Sequence, residues 1–179
     1  MTISRARLIA IVAGAVATTA GTGAVADDFG GESWSDGSLA KMCAGLPSQI
    51  ALKNALIAAR DQTNGGFNLD MWGTVVNRDG VVCAVAFTGT NRGEQWPGSR
   101  VISAQKANTA NDFSLPALAL STADLYYATQ PGGTLYGLQH SNPVDPQVAY
   151  RGPAANFGMS DDPMVGHRIG GVKIGRAHV

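Results

Sequence analysis

The sequence predicts one α+β domain in which helices flank an antiparallel β-sheet. Two observations carry that expectation. Two apolar, β-branched runs, Leu69 to Val76 and Val81 to Phe87, meet at Asn77-Arg78-Asp79-Gly80, and helical patterns precede and follow them. Size and composition allow a real core: 179 residues, 45% hydrophobic and 15% charged, match neither a disordered segment nor, with 2 Cys, a disulfide scaffold.

Each element has a local reason. From Pro47 to Asn64, Leu52, Ala55, Leu56 and Ala59 recur at helical spacing, Lys53, Asn54, Arg60 and Asp61 lie off that stripe, and Gly65-Gly66 ends it. Asp79-Gly80 is a hairpin signal. In the second strand Val81, Cys83, Val85 and Phe87 alternate with Val82, Ala84 and Ala86, so both faces are apolar and the strand is expected to be central. A polar loop from Thr88 to Gly98 leads into a helix from about Ser99 to Phe113. Ser121, with Asp124 three residues on, predicts an N-cap and a short helix ending near Gln130, before Pro131-Gly132-Gly133. From Thr134 to Met164 the chain is rich in Gly, Pro, Asn and Asp and reads as irregular. Ile169 to Val172 predicts the start of a strand whose partners lie past Val172.

The ends read differently from the middle. Residues 1–26 read as a secretory signal peptide: Arg5 and Arg7 without an acid, an Ala-rich stretch, then Ala24-Val25-Ala26 before Asp27-Asp28. An uncleaved anchor is the alternative. Both predict export to a periplasmic or extracellular space, with no membrane association once the peptide is cut. Its removal leaves 11 basic against 13 acidic residues, a net charge of −2. Residues 27–46 read as a flexible lead. The domain proper is 47–172. The tail 173–179, KIGRAHV, resembles a translated sequencing adapter and predicts that the domain continues past Val172; a genuine basic tail is the alternative. With no cluster of Lys and Arg, the simplest route to nucleic-acid binding is excluded.

The second helix carries the chemistry. At about 100° per residue, Ile102, Lys106, Thr109 and Phe113 fall within a sector of roughly 60°. That sets an ammonium and a hydroxyl in an apolar stripe. In one reading Lys106 snorkels to the helix edge and Thr109 bonds a carbonyl one turn earlier. In the other, a pocket between helix and sheet lets Lys106 meet an anion while Thr109 offers an oxygen to a metal or ligand.

The succession Val76-Asn77-Arg78-Asp79-Gly80-Val81-Val82, followed by Ser103-Ala104-Gln105-Lys106-Ala107-Asn108-Thr109-Ala110, resembles the GlcG/HbpS-like haem-binding family. The likeness covers roughly Pro47 to Val172. It implies an antiparallel sheet flanked by helices, assembly into homo-oligomers, export in some branches, and haem or a related tetrapyrrole as ligand, with Thr109 as iron contact. The chain departs from the family in its long segment between Gln130 and Met164 and in lacking the closing strands and last helix, so the fold is expected to be incomplete at the C-terminus.

His140 and His167 are the conventional iron ligands, with solvent-facing loop histidines as the alternative. Covalent haem attachment is excluded by the absence of Cys-x-x-Cys-His. Among Trp34, Trp72 and Trp96, the last, beside Pro97-Gly98, is the better pocket candidate. Cys43 and Cys83 predict one disulfide in an exported chain, against two buried thiols. Asp161-Asp162 before Pro163 reads as a solvated turn, or as a cation site. No dinucleotide, phosphate-loop, zinc or serine-hydrolase motif is present. Three functions stay open: an exported haem binder for capture, storage or sensing; an enzyme on the same fold that degrades haem or turns over a small metabolite; and a ligand-free oligomeric interaction domain.

Overall fold

The hairpin sets the frame. In the computed structural model, which describes residues 36–63 and 68–175, strands β1 (Trp72–Val76) and β2 (Val82–Phe87) pair antiparallel, Trp72 opposite Phe87 and Val75 opposite Ala84. The signal-peptide reading, Trp34 and Gly65-Gly66 lie outside the described residues. Asn77 organises the turn: its Oδ1 accepts from the backbone N–H of Asp79 and of Val81, each at 2.9 Å. Gly80 closes it at φ +77°, a conformation that glycine adopts without strain.

A β-bulge after Val75 puts Val76 opposite Val82 and leaves Cys83 unpaired. The simple alternation expected along β2 is therefore broken. Val82 joins Val85 and Phe87 on one face, and Ala84 and Ala86 line the other.

A helix covers each face. Helix α2 (Gln49–Arg60), capped by Ser48, lays Leu52 and Leu56 on Ala84 and Ala86. The approach is close: a Cβ at Gly73 would stand 2.7 Å from Leu56 Cδ1. Helix α3 (Ser99–Phe113) lays Val101, Ala104 and Ala107 on the opposite face, and Ser103 and Thr74 share a hydroxyl hydrogen bond of 2.6 Å. The architecture is α+β, with a helix on either side of an antiparallel sheet of two strands. Although β2 belongs to so small a sheet, both its faces are buried and part of its outer edge is paired: Val82 N–H donates to His167 O at 2.9 Å, and Gly166 N–H to Val82 O at 2.8 Å. That is why its sequence reads as central.

Three expectations are corrected. Helix α1 (Asp36–Met42) occupies part of the stretch read as a flexible lead, and is tied to the hairpin by Asn77 Nδ2–H to Met42 O at 3.2 Å. The helix expected after Ser121 is a series of turns ending in a 3-10 helix, Tyr127–Thr129, although Ser121 N–H does bond Asp124 Oδ2. Ile169 to Val172 is not a strand, and among the described residues it bonds upstream: Asp145 N–H donates to Ile169 O at 2.9 Å and Val172 N–H to Asn142 O at 3.2 Å. The intervening chain is irregular as expected, with two single-turn helices, α4 (Leu138–Ser141) and α5 (Pro146–Ala149).

One ion pair docks this irregular chain. Arg100 on α3 and Asp162 form a bidentate pair, through Nε to Oδ2 at 2.8 Å and Nη2 to Oδ1, with side chains 1% and 0% exposed. Arg100 Nη1–H also reaches Ala149 O at 2.8 Å, and its guanidinium stacks on Phe157, 3.7 Å from the ring centroid. Asp162 accepts two further backbone N–H groups, from Gly158 at 2.6 Å and Met164 at 2.9 Å. The adjacent acids are thus not one solvated turn: Asp161 is exposed, and Asp162 is buried against a guanidinium of its own chain. Gly158 is required there, because a Cβ would stand 2.4 Å from Phe87 Cδ1.

The predicted disulfide is present, joining Cys43 to Cys83 across 40 residues. A loop of that length corresponds to about 4 kcal/mol of stabilisation by chain entropy. The Cys43→Ser, Cys83→Ser double variant should unfold in urea with a stability lower by about that amount, and thiol titration of the unreduced, unfolded wild type should find no free cysteine. For the ion pair, Asp162→Ala should cost about 3–5 kcal/mol in the same assay, because it strands a buried guanidinium, whereas Arg100→Met with Asp162→Leu should cost less than the single change.

Candidate functional site

Helix α3 presents its predicted site residues on the side turned away from the sheet. Ser103, Ala104 and Ala107 face β1 and β2, and at about 100° per residue the stripe of Ile102, Lys106, Thr109 and Phe113 lies roughly 140° round the helix from them. The expected pocket between helix and sheet is therefore not formed. Alanines fill that interface and draw the helix close.

The outer side is covered by the last described residues. Lys173 N–H donates to Thr109 Oγ1 at 3.0 Å, and Gly175 exchanges hydrogen bonds with Thr122, so the chain is held to the helix at Lys173 and to the turn after the helix at Gly175. Thr109 is 0% exposed, and its hydroxyl donates to Gln105 O at 2.8 Å, one turn earlier. With its proton given to Gln105 and a lone pair to Lys173, this oxygen serves the fold. It does not fit as an iron contact.

Lys106 is different. Its stem is buried and the residue is only 7% exposed, while Nζ keeps contact with solvent at the helix edge; among the described residues the ammonium has no acid within ion-pair distance and makes no hydrogen bond. Burial lowers its pKa below the ordinary lysine value, and the nearby Lys173 ammonium lowers it further. Ile102 and Phe113 flank it, half-buried.

The remaining candidates are dispersed. Trp96 is 76% exposed in the loop before α3, which removes it from any pocket. His140 is exposed on α4. His167 is half-buried, where burial and then Arg151 lower its pKa. Among the described residues no hydrogen bond or ion pair links either histidine to Lys106 or Thr109, and no three His, Cys, Asp or Glu side chains gather as a metal-ligand set. Two clefts, of about 350 and 470 Å³, lie at the hairpin turn and along residues 134–141. Neither reaches Lys106 or Thr109.

Sequence reasoning missed Arg100 and Asp162, whose pairing spans 62 positions, and the amides Asn108 and Asn111 on α3. The one local signal was an arginine one residue into a helix whose inward face is otherwise small and apolar.

Searches of protein-family models, curated proteins and solved structures return no match to the chain. Among the described residues no helix is long and apolar enough to cross a membrane.

The state of Lys106 has a measurable consequence. Because its folded pKa lies below its unfolded value, the unfolded chain binds more protons between the two, so folding stability rises with pH from the lowered value up to the ordinary lysine range near 10.5. Lys106→Met should be more stable than wild type at neutral pH. The difference should shrink as the pH approaches that range, which chemical denaturation across an alkaline series would read directly.

Proposed function

We propose that the chain is an exported tetrapyrrole-binding protein, used to capture, store or sense haem, with the ligand's carboxylate anchored at Lys106. One observation supports this reading above the others: a lysine with a buried stem whose partly desolvated ammonium, at the solvent edge, has no anionic partner among the described residues. A partly desolvated cation is stabilised by a counter-ion, and a propionate would supply one. Ile102 and Phe113 beside it offer apolar contact to a flat ring system. Thr109 here has a structural part, holding Lys173 against the helix.

For iron, His140 and His167 are the donors this reading retains. The lowered pKa of His167 keeps its imidazole neutral at pH 7, the form that ligates metals. The Cys43–Cys83 disulfide is compatible with an oxidising, exported setting. Exposed Trp96, Leu115, Leu118 and Tyr127 favour self-association into a homo-oligomer.

The experiment is a haemin titration of the refolded chain, followed in the Soret band. Saturable binding is expected, weakened about tenfold or more in Lys106→Ala, as for loss of a charge-assisted contact of roughly 1.5–3 kcal/mol. A conservative Thr109→Val should lower stability and leave the Soret position unchanged. A titration with no saturable component overturns the reading.

A further inference from the structure

The cleft at the hairpin turn lies away from the Lys106 face and carries a separate set of unspent groups. Its volume is about 350 Å³, and its walls include Arg78, Asp79, Asn108, Asn111, Asp112 and Arg168. Both guanidiniums are exposed and tethered to backbone, and among the described residues neither meets an acid within ion-pair distance, Asp79 in the same wall included. Arg168 donates through Nε to Asp79 O at 2.8 Å, leaving its two terminal nitrogens, and Arg78 makes one long contact, Nη2 to Ser114 O at 3.4 Å. Two forks so held are a ready receptor for a carboxylate.

The α3 wall offers the opposite chemistry. Asp112 is half-buried and accepts only the neutral amide of Asn108, at 3.2 Å. Among the described residues no cation lies within ion-pair distance of it, and burial raises its pKa above the ordinary carboxylate value. One position before it, Asn111 is 1% exposed. Its Nδ2–H is given to Arg78 O at 3.3 Å, which fixes the amide and leaves Oδ1 buried without a donor. A carboxylate without a counter-ion and an acceptor without a donor both ask for a charged N–H group.

We propose that this cleft binds a small zwitterion of the free α-amino acid class, its carboxylate held by Arg78 and Arg168 and its ammonium by Asp112, with Asn111 Oδ1 in the same wall. An anion alone would leave Asp112 and Asn111 unmatched. A cation alone would meet the two guanidiniums. The volume is at the lower end of small-molecule sites, which suits an amino acid. The site stands independently of the tetrapyrrole reading.

The test uses the full chain. Each of the twenty standard amino acids at 10 mM, on the order of the concentration that reveals millimolar affinity, is screened by thermal shift. Hits are titrated calorimetrically beside their N-acetyl and carboxamide derivatives. At least one free amino acid should bind saturably, with affinity reduced tenfold or more when either end is blocked. Asp112→Asn should reduce binding of the free amino acid by a similar factor and leave the N-acetyl form unchanged, and Arg168→Gln should weaken both, in variants whose circular dichroism matches wild type. No hit in the screen overturns the proposal. So does an N-acetyl derivative that binds as well as its parent, which would make the cleft a site for simple anions.

Discussion

The buried pair of Arg100 and Asp162 is the constraint on which the rest of the molecule hangs. A two-stranded sheet with one helix on each face offers little apolar area, and the remaining third of the chain is irregular. That irregular third must nonetheless finish the core, because Ala149, Met164 and Ile169 belong to the same cluster as Trp72, Val85 and Phe87. Asp162 makes this possible. Each of its oxygens accepts one N–H from Arg100 and one from its own loop, so the carboxylate fixes the loop from Gly158 to Met164 and clamps it to the start of α3 in one step. From there the chain turns to pair Gly166 and His167 with β2. A buried ion pair brings little net stability compared with an apolar replacement. Here it supplies register: without it, an irregular segment has no periodic pattern to tell it where to sit.

A second consequence concerns α3. Most helices on a sheet keep one side in solvent, but this one is covered nearly all round, by the sheet on its alanine side and by 171–173 on the other. Polar side chains on such a helix must find partners within the protein. Ser103, Thr109, Asn111 and Arg100 do so, in whole or in part.

How far the sequence discloses this follows from the range of each interaction. The hairpin is legible because Asn77 and Gly80 act within four residues, and the disulfide because a chain with two cysteines has only one pairing to offer. The bulge at Cys83 leaves no local mark, so strict alternation along β2 misassigns Val82. The phase of α3 misleads for a physical reason. Ile102 and Phe113 are its largest apolar residues and point a sequence reading to the wrong inner face, whereas Val101, Ala104 and Ala107 pack on the sheet, the two alanines allowing a close approach. Asp162 looks like half of a solvated acidic turn because its partner is 62 residues away, beyond any local pattern.

Arg100 and Lys106 then invite comparison, being cations six residues apart on one helix, the first wholly buried and the second with its stem buried and its ammonium at the solvent edge. The guanidinium has a bidentate carboxylate, a carbonyl and an aromatic face, so its burial is fully accounted for by the fold. Among the described residues the ammonium has none of these, and it keeps contact with solvent instead. A methionine at position 106 would fill the same space with no charge to desolvate, so the fold tolerates this charge, at the cost of a lowered pKa, whereas it depends on the charge of Arg100.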